Sequence, residues 1–157
     1  MTNKEFFIKT LESERSKFRQ VIEALPDDKM SHKVHDKSRE AGSLASQLAI
    51  QWHGISGVIT KGAPMDAHLA KTASKSEMLA AFDQYFDQMM VDLKAVEDAD
   101  WENSDAAMGD IWKDKKYNMA WGFLFDAIHH RGQLSSYLRA MGAKVPSIYG
   151  PSADTKM

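Results

Sequence analysis

The apolar residues of this chain recur at helical spacing in four long segments, and all four of its prolines lie where that spacing stops. Apolar residues at this period share one face of a helix, whereas proline lacks the amide proton and ends helices. The pattern predicts helices over about 2–25, 38–61, 74–98 and 118–141. The 157 residues therefore indicate a single all-α domain over 1–157, a four-helix bundle with a C-terminal tail over 143–157.

Local signals mark the ends of these helices. Thr2 with Glu5, and Ser74 with Glu77, have the spacing of capping boxes, and Gly142 is placed to end the fourth helix. The stripe on the first helix predicts a core face of Phe7, Leu11, Phe18, Val21 and Leu25. Because no segment of useful length alternates with period two, a sheet of any size is not expected.

The connection over 99–117, between the third and fourth helices, is long for a helical bundle. It carries Trp101 and Trp112, which is unusual for a structureless loop. We expect this segment to cap one end of the bundle or to act as a lid.

The composition excludes several classes of protein. With 20 Lys and Arg against 22 Asp and Glu, and no run of like charge, neither nucleic acid nor a membrane is an expected partner. The absence of cysteine excludes disulfides and thiolate chemistry on the chain itself. No apolar stretch is long enough for a signal peptide or a membrane span, so a cytoplasmic protein is expected.

A file of polar side chains runs along the fourth predicted helix. Asp126, His130, Gln133 and Tyr137 are spaced i, i+4, i+7 and i+11, which puts all four on one face. Apolar side chains occupy the opposite side, namely Trp121, Leu124, Ile128 and Leu138. Because no helix of a four-helix bundle is central, a helix that is apolar beyond its core face is expected to meet a partner. We therefore predict a homodimer formed through the fourth helix.

Asp126 and His130 are able to reach one cation together, because side chains at i and i+4 lie about 5–6 Å apart at Cβ. A divalent metal such as zinc, nickel or manganese suits this pair. Gln47 shares the inward face of the second helix and is the geometric choice for a third ligand, although an amide oxygen is a weak donor. Gln51 lies on that same face, whereas His53 is rotated away from the core.

The same residues allow an interpretation without metal. Buried polar groups need hydrogen-bond partners, and an Asp–His pair with two glutamines nearby is able to satisfy itself. His129 is rotated about 100° from His130 and is expected to flank the site. Arg131 is expected to belong to the pocket around the site, at a helix–helix edge, with Glu14 as a candidate partner for its guanidinium.

Several segments together resemble the DinB family of DinB/YfiT-like proteins. The fourth helix carries His-His-Arg-Gly-Gln at 129–133 and Tyr-Leu-Arg at 137–139, and the tail reads Val-Pro-Ser-Ile-Tyr-Gly-Pro at 145–151. Residues 38–45, Ser-Arg-Glu-Ala-Gly-Ser-Leu-Ala, resemble the start of the family's second helix. The chain is thus similar to a subgroup with an HHRGQ motif and a VPSIYGP tail.

This resemblance implies a four-helix bundle, often homodimeric, with a divalent metal held by one histidine of the second helix and a His-x-x-x-His pair of the fourth. The last of these histidines matches His130, whereas Asp126 and Gln47 stand at the other two positions. The resemblance implies a metal-dependent hydrolase or thiol transferase. The replacement of a ligand histidine by Gln47 keeps a second hypothesis open, a non-catalytic small-ligand-binding or regulatory dimer with a degenerate, metal-free site. A metal-free structural dimer is the third.

Overall fold

Over residues 1–156, the computed structural model contains helices joined by loops and one small hairpin. The elements are α1 (Asn3–Glu23), α2 (Ala41–Ile50), α3 (Trp52–Lys61), α4 (Lys75–Ala95), α5 (Asp98–Asn103), β1 (Asp105–Met108), β2 (Trp112–Lys115) and α6 (Lys116–Ala140). A short 3₁₀ turn, Asp27–Lys29, follows α1.

The predicted four-helix bundle is confirmed, with α2 and α3 together forming its second helix. Both α4 and α6 pack against α1 and against the α2–α3 pair. The core face predicted for α1 is fully buried, and both predicted capping boxes are present, at Thr2 and at Ser74. No helix in the described residues combines the length and apolarity that a membrane span requires.

The second helix differs from its prediction in two ways. It begins at Ala41 rather than near Ser38, because residues 31–40 form a loop. The amide of Ala41 donates to the carbonyl of His32 in that loop at 2.9 Å. It is also interrupted at Gln51, where the Gly54 amide donates to the Gln51 carbonyl, three residues back, at 3.0 Å. This tighter bond, of 3₁₀ type, separates α2 from α3.

The long connection over 99–117 caps one end of the bundle, which was the first of the two arrangements expected for it. It forms α5 and the antiparallel β1–β2 hairpin, which pack against α3 and α6. The buried Nζ of Lys116 donates to the Ile59 carbonyl at 2.9 Å and to the Asp100 carboxylate at 2.9 and 3.0 Å. Hydrogen bonds from Ser104 and Lys116 hold the pKa of Asp100 below its ordinary value. This anchorage starts α6 at Lys116, two residues earlier than predicted.

We predict opposite effects for alanine at two helical glycines. At Gly57, a Cβ would lie at 2.5 Å from the carbonyl oxygen of Ala63 and would also overlap the amide nitrogen of Met65. Because both obstacles are backbone atoms, Gly57→Ala is expected to lower the free energy of unfolding by about 1–3 kcal/mol or more. At Gly132 nothing lies within 4 Å, so Gly132→Ala is expected to raise it by about 0.5–1 kcal/mol. Urea denaturation followed by circular dichroism measures both, and equal effects would contradict this account.

Candidate functional site

A chain of polar contacts joins α2 to α6. Gln47 of α2 donates from Nε2 to Asp126 Oδ2 at 3.5 Å. Asp126 Oδ1 lies 3.4 Å from His130 Nε2, and His130 Nδ1 lies 2.8 Å from Gln133 Oε1. The structure therefore brings together the three residues predicted as metal ligands, together with Gln133 from the same polar file.

Arg39 lies at one end of this series of polar contacts, and its role was not predicted from the sequence. Its guanidinium donates to Gln47 Oε1, and also to the carbonyl and hydroxyl oxygens of Ser43 at 3.3 and 3.2 Å. The amide of Gln47 is consequently used at both ends, with its oxygen on Arg39 and its nitrogen on Asp126. We call the set Arg39, Gln47, Asp126, His130 and Gln133 the polar network.

The polar network is open to solvent on one side. The side chain of His130 is 15 % exposed, while that of Asp126 is 51 % exposed. A carboxylate this accessible keeps much of its hydration, so the site is reachable by a ligand from the surface.

The donor set meets only part of what a divalent metal needs. His130 and Asp126 present two donor atoms side by side, and the Gln133 carbonyl oxygen beside Nδ1 suits a tautomer that leaves Nε2 free. Gln47, however, turns its N–H toward Asp126, and its oxygen is bound to a guanidinium. Within residues 1–156 no group of three or more His, Cys, Asp or Glu is placed to hold a metal ion. Catalytic zinc sites usually have three protein ligands, so the arrangement as it stands does not fit a firmly held metal.

The remaining predicted site residues lie around the polar network or away from it. His129 is exposed and its ring lies 5.2 Å from that of His130, flanking the network as expected. The Nε2 of Gln51 is buried without a hydrogen-bond partner among the described residues, so Gln51 does not donate to the network. The His53 ring lies against that of Tyr85 of α4, with the ring centroids 4.9 Å apart and the planes tilted by 44°. Tyr137 is buried, and its hydroxyl donates to the Arg39 carbonyl at 2.9 Å.

Arg131 belongs to a different cluster, on another side of α6. It is buried and donates to Glu14 at 2.5 Å, which confirms the expected pairing but removes Arg131 from the pocket where it was also placed. The tail joins this cluster through Tyr149, whose hydroxyl donates to Glu14 at 2.7 Å, and Lys17 donates to the same carboxylate at 2.6 Å. The Arg131 guanidinium also lies over the ring of Phe18, at 4.4 Å from its centroid.

A groove of about 550 Å³ runs beside the polar network, between the loop before α2 and the C-terminal half of α6. Gln133 and Arg39 belong to both the groove and the network. The groove is lined by Val34, Lys37, Ser38, Arg39, Leu44, Gln133, Ser136 and Tyr137.

Known proteins share this fold. The model of the DinB family matches residues 1–156. A DinB-like protein from Bacillus subtilis superimposes with a TM-score of 0.73 at 19% identity, covering 90% of this chain and 96% of that one. A DinB-like protein from Bacillus cereus gives a TM-score of 0.72 at 18% identity, covering 92% and 97%. None of the curated proteins compared matches the chain.

We predict that the Glu14 carboxylate stabilises the fold in a pH-dependent way. Burial raises the pKa of Glu14, but hydrogen bonds from Lys17, Arg131 and Tyr149 outweigh it and hold the pKa below its ordinary 4.5. A carboxyl group whose pKa is lower in the folded than in the unfolded protein stabilises the fold. The stabilisation is complete at pH values above the pKa of the unfolded state and is lost as the pH falls through the pKa of the folded state. Glu14→Gln leaves the Arg131 charge buried and is expected to lower the free energy of unfolding by about 3–5 kcal/mol at pH 7.

The matched control is Glu12→Gln on the same helix. Glu12 is 53% exposed and 3.5 Å from Lys94, so its loss is expected to cost less than about 1 kcal/mol. Urea denaturation at pH 7 and in steps below about pH 4.5 measures both variants. The difference between wild type and Glu14→Gln is expected to shrink toward acid pH, and a difference that stayed constant would contradict the role of the carboxylate.

Proposed function

Since the chain belongs to the DinB family, we propose that it is a non-catalytic small-ligand-binding protein whose family metal site is degenerate. The polar network serves as a metal-free wall of the binding site. The groove beside it holds the ligand. This is the second of the hypotheses raised by the sequence. The arrangement of one residue is its main support.

That residue is Gln47, because both ends of its amide are engaged within the chain. Its oxygen accepts from Arg39 and its nitrogen donates to Asp126. To ligate a metal beside Asp126 and His130, the amide would have to turn over, lose the Arg39 bond and direct a weak neutral oxygen at the ion. The guanidinium already supplies a positive charge at this end of the network. The Gln47 amide is therefore satisfied at both ends without a divalent cation.

A metal-dependent hydrolase or thiol transferase is the second candidate. Asp126 Oδ1 and His130 Nε2 lie 3.4 Å apart, a separation that two ligands of one metal ion adopt, and Gln133 orients the imidazole. Zinc, nickel or manganese bound there would activate water or a thiol for attack. In this candidate Asp126 and His130 hold the ion and Gln47 contributes only after its amide turns.

Titration calorimetry on chelator-stripped protein separates the two candidates. For the wild type we expect no saturable binding of zinc, nickel or manganese at micromolar concentration. Gln47→His places an imidazole where the amide now lies, and it is expected to raise zinc affinity by about tenfold or more. Adding His130→Ala to that variant is expected to abolish the gain.

Gln51→His is the matched control, because it makes the same change one turn along the chain at a side chain outside the polar network. It is expected to leave zinc affinity unchanged. One-to-one micromolar binding by the wild type, lost in His130→Ala, would overturn the metal-free proposal in favour of the enzyme. Equal affinities for Gln47→His and Gln51→His would show that Gln47 does not face the site.

We further propose that the protein is a homodimer that associates through α6. The face predicted from the sequence is not free for a partner, because Leu124 and Leu138 are fully buried in the core of the bundle. A different patch is exposed: Phe125 of α6 is 61% exposed and Phe6 of α1 is 51% exposed. Trp121 lies between them, with ring centroids 5.8 and 5.6 Å away. Two aromatic side chains this exposed, joined by a partly buried third, are unusual on a monomer and are typical of interfaces.

Sedimentation velocity at micromolar concentration tests the dimer. The wild type is expected to sediment as a dimer and Phe125→Glu as a monomer, because a carboxylate would be buried unpaired at the contact. Val91→Glu on α4 is the control, since Val91 is 60% exposed and lies on a different helix. A monomeric wild type, or dissociation by both substitutions alike, would contradict an interface on α6.

A further inference from the structure

We propose that the groove beside Gln133 binds a small organic anion, with a carboxylate or phosphate group held by Lys37 and Arg39 and an apolar part against Val34. The inference rests on the proposal that the chain binds a small molecule, and it assigns the chemical class of that molecule. The groove's charge, its apolar members and its fixed backbone each support it.

The charged residues that line the groove are both cationic. Lys37 and Arg39 contribute to the lining, and no carboxylate does so within the described residues. The nearby Glu40 faces a different cavity, lined also by Met30 and Leu69. Two cations without a compensating anion in one concave surface attract an anionic ligand, and a guanidinium is well shaped for carboxylate and phosphate oxygens.

The uncharged residues of the groove suit the rest of such a ligand. Ser38 and Ser136 add hydroxyl groups that are able to donate to anionic oxygens. Val34, which is 48% exposed, supplies the apolar surface of the groove, while Leu44 lies buried beneath it. The volume of about 550 Å³ exceeds what an inorganic ion needs and lies in the range of small organic ligands.

The backbone that carries the two cations is fixed before any ligand arrives. Tyr137 donates to the Arg39 carbonyl at 2.9 Å, and the Gly42 amide donates to the Met30 carbonyl at 2.8 Å. The Ser38 amide donates to the His35 carbonyl at 2.8 Å. A preorganised backbone loses little conformational entropy on binding, so a few charge-assisted hydrogen bonds suffice for measurable affinity.

Arg39 places the anion next to the polar network. The same guanidinium that lines the groove donates to Gln47, so a bound anionic group would lie near one end of the chain of contacts that leads to His130. The ligand therefore occupies the outer face of the degenerate metal site, and its charge is balanced by Arg39 without a metal ion.

Calorimetric titration of the chelator-stripped protein with phenyl phosphate and with benzoate tests the class, and benzyl alcohol serves as the neutral analogue. We expect one-site binding of either or both anions and none of the alcohol. Preference between phosphate and carboxylate identifies the anionic group. Lys37→Gln is expected to weaken anion binding by about tenfold, the loss of one charge-assisted hydrogen bond, and Ser136→Phe is expected to block the groove without changing its charge.

Lys33→Gln is the matched control, since Lys33 is an exposed lysine of the same loop that does not line the groove. It is expected to leave the affinity unchanged. Equal weakening by Lys33→Gln and Lys37→Gln would reduce the effect to overall charge and overturn the groove assignment. Two results would overturn the anionic class: binding of benzyl alcohol as tight as that of the anions, or no anion binding at millimolar concentration. Neither result would contradict the proposal that the protein binds a small ligand. Firm zinc binding by the wild type would instead overturn the proposed function itself.

Discussion

The buried ion pair between Glu14 and Arg131 is the contact on which the arrangement of this bundle depends. It ties the first helix to the last, and through Tyr149 it fixes the tail against both. A charge this well buried is tolerated only with its partner in place, so the pair allows one rotation of α6 about its axis. His130 is the adjacent residue, about 100° away, and once Arg131 faces α1 it is directed toward α2.

The position of the candidate site follows from that rotation. With His130 turned toward α2, Asp126 and Gln133 lie on either side of it, one turn away, and Gln47 meets Asp126 from the opposite helix. The DinB-like proteins of Bacillus subtilis and Bacillus cereus share this fold at low identity, so the fold tolerates wide change in sequence. In this chain the donors at the meeting point of α2 and α6 are an amide, a carboxylate and an imidazole.

Much of the fold could be predicted because its causes are local. Helical spacing, capping boxes and prolines identified the bundle, and the core stripe of α1 is buried as expected. The start of α2 could not be read this way, since hydrogen bonds from Ala41 and Tyr137 to the preceding loop decide it. Gln51 has the helical phase of Gln47, yet it lies outside the polar network and marks the break between α2 and α3. Arg39 was missed because the predicted second helix, 38–61, included it, whereas it lies in the loop before α2 and reaches Gln47 from there.

By itself, the sequence determined the helices, their inward faces and the polar file on the last helix, because each depends on spacing along one segment. The tertiary structure decided which polar atoms meet. The direction of the Gln47 amide depends on Arg39 from a loop and on Asp126 from another helix, 79 residues away. Whether the same residues form a metal site or a closed network is set by such contacts between distant segments, and these have no periodic signature in the chain.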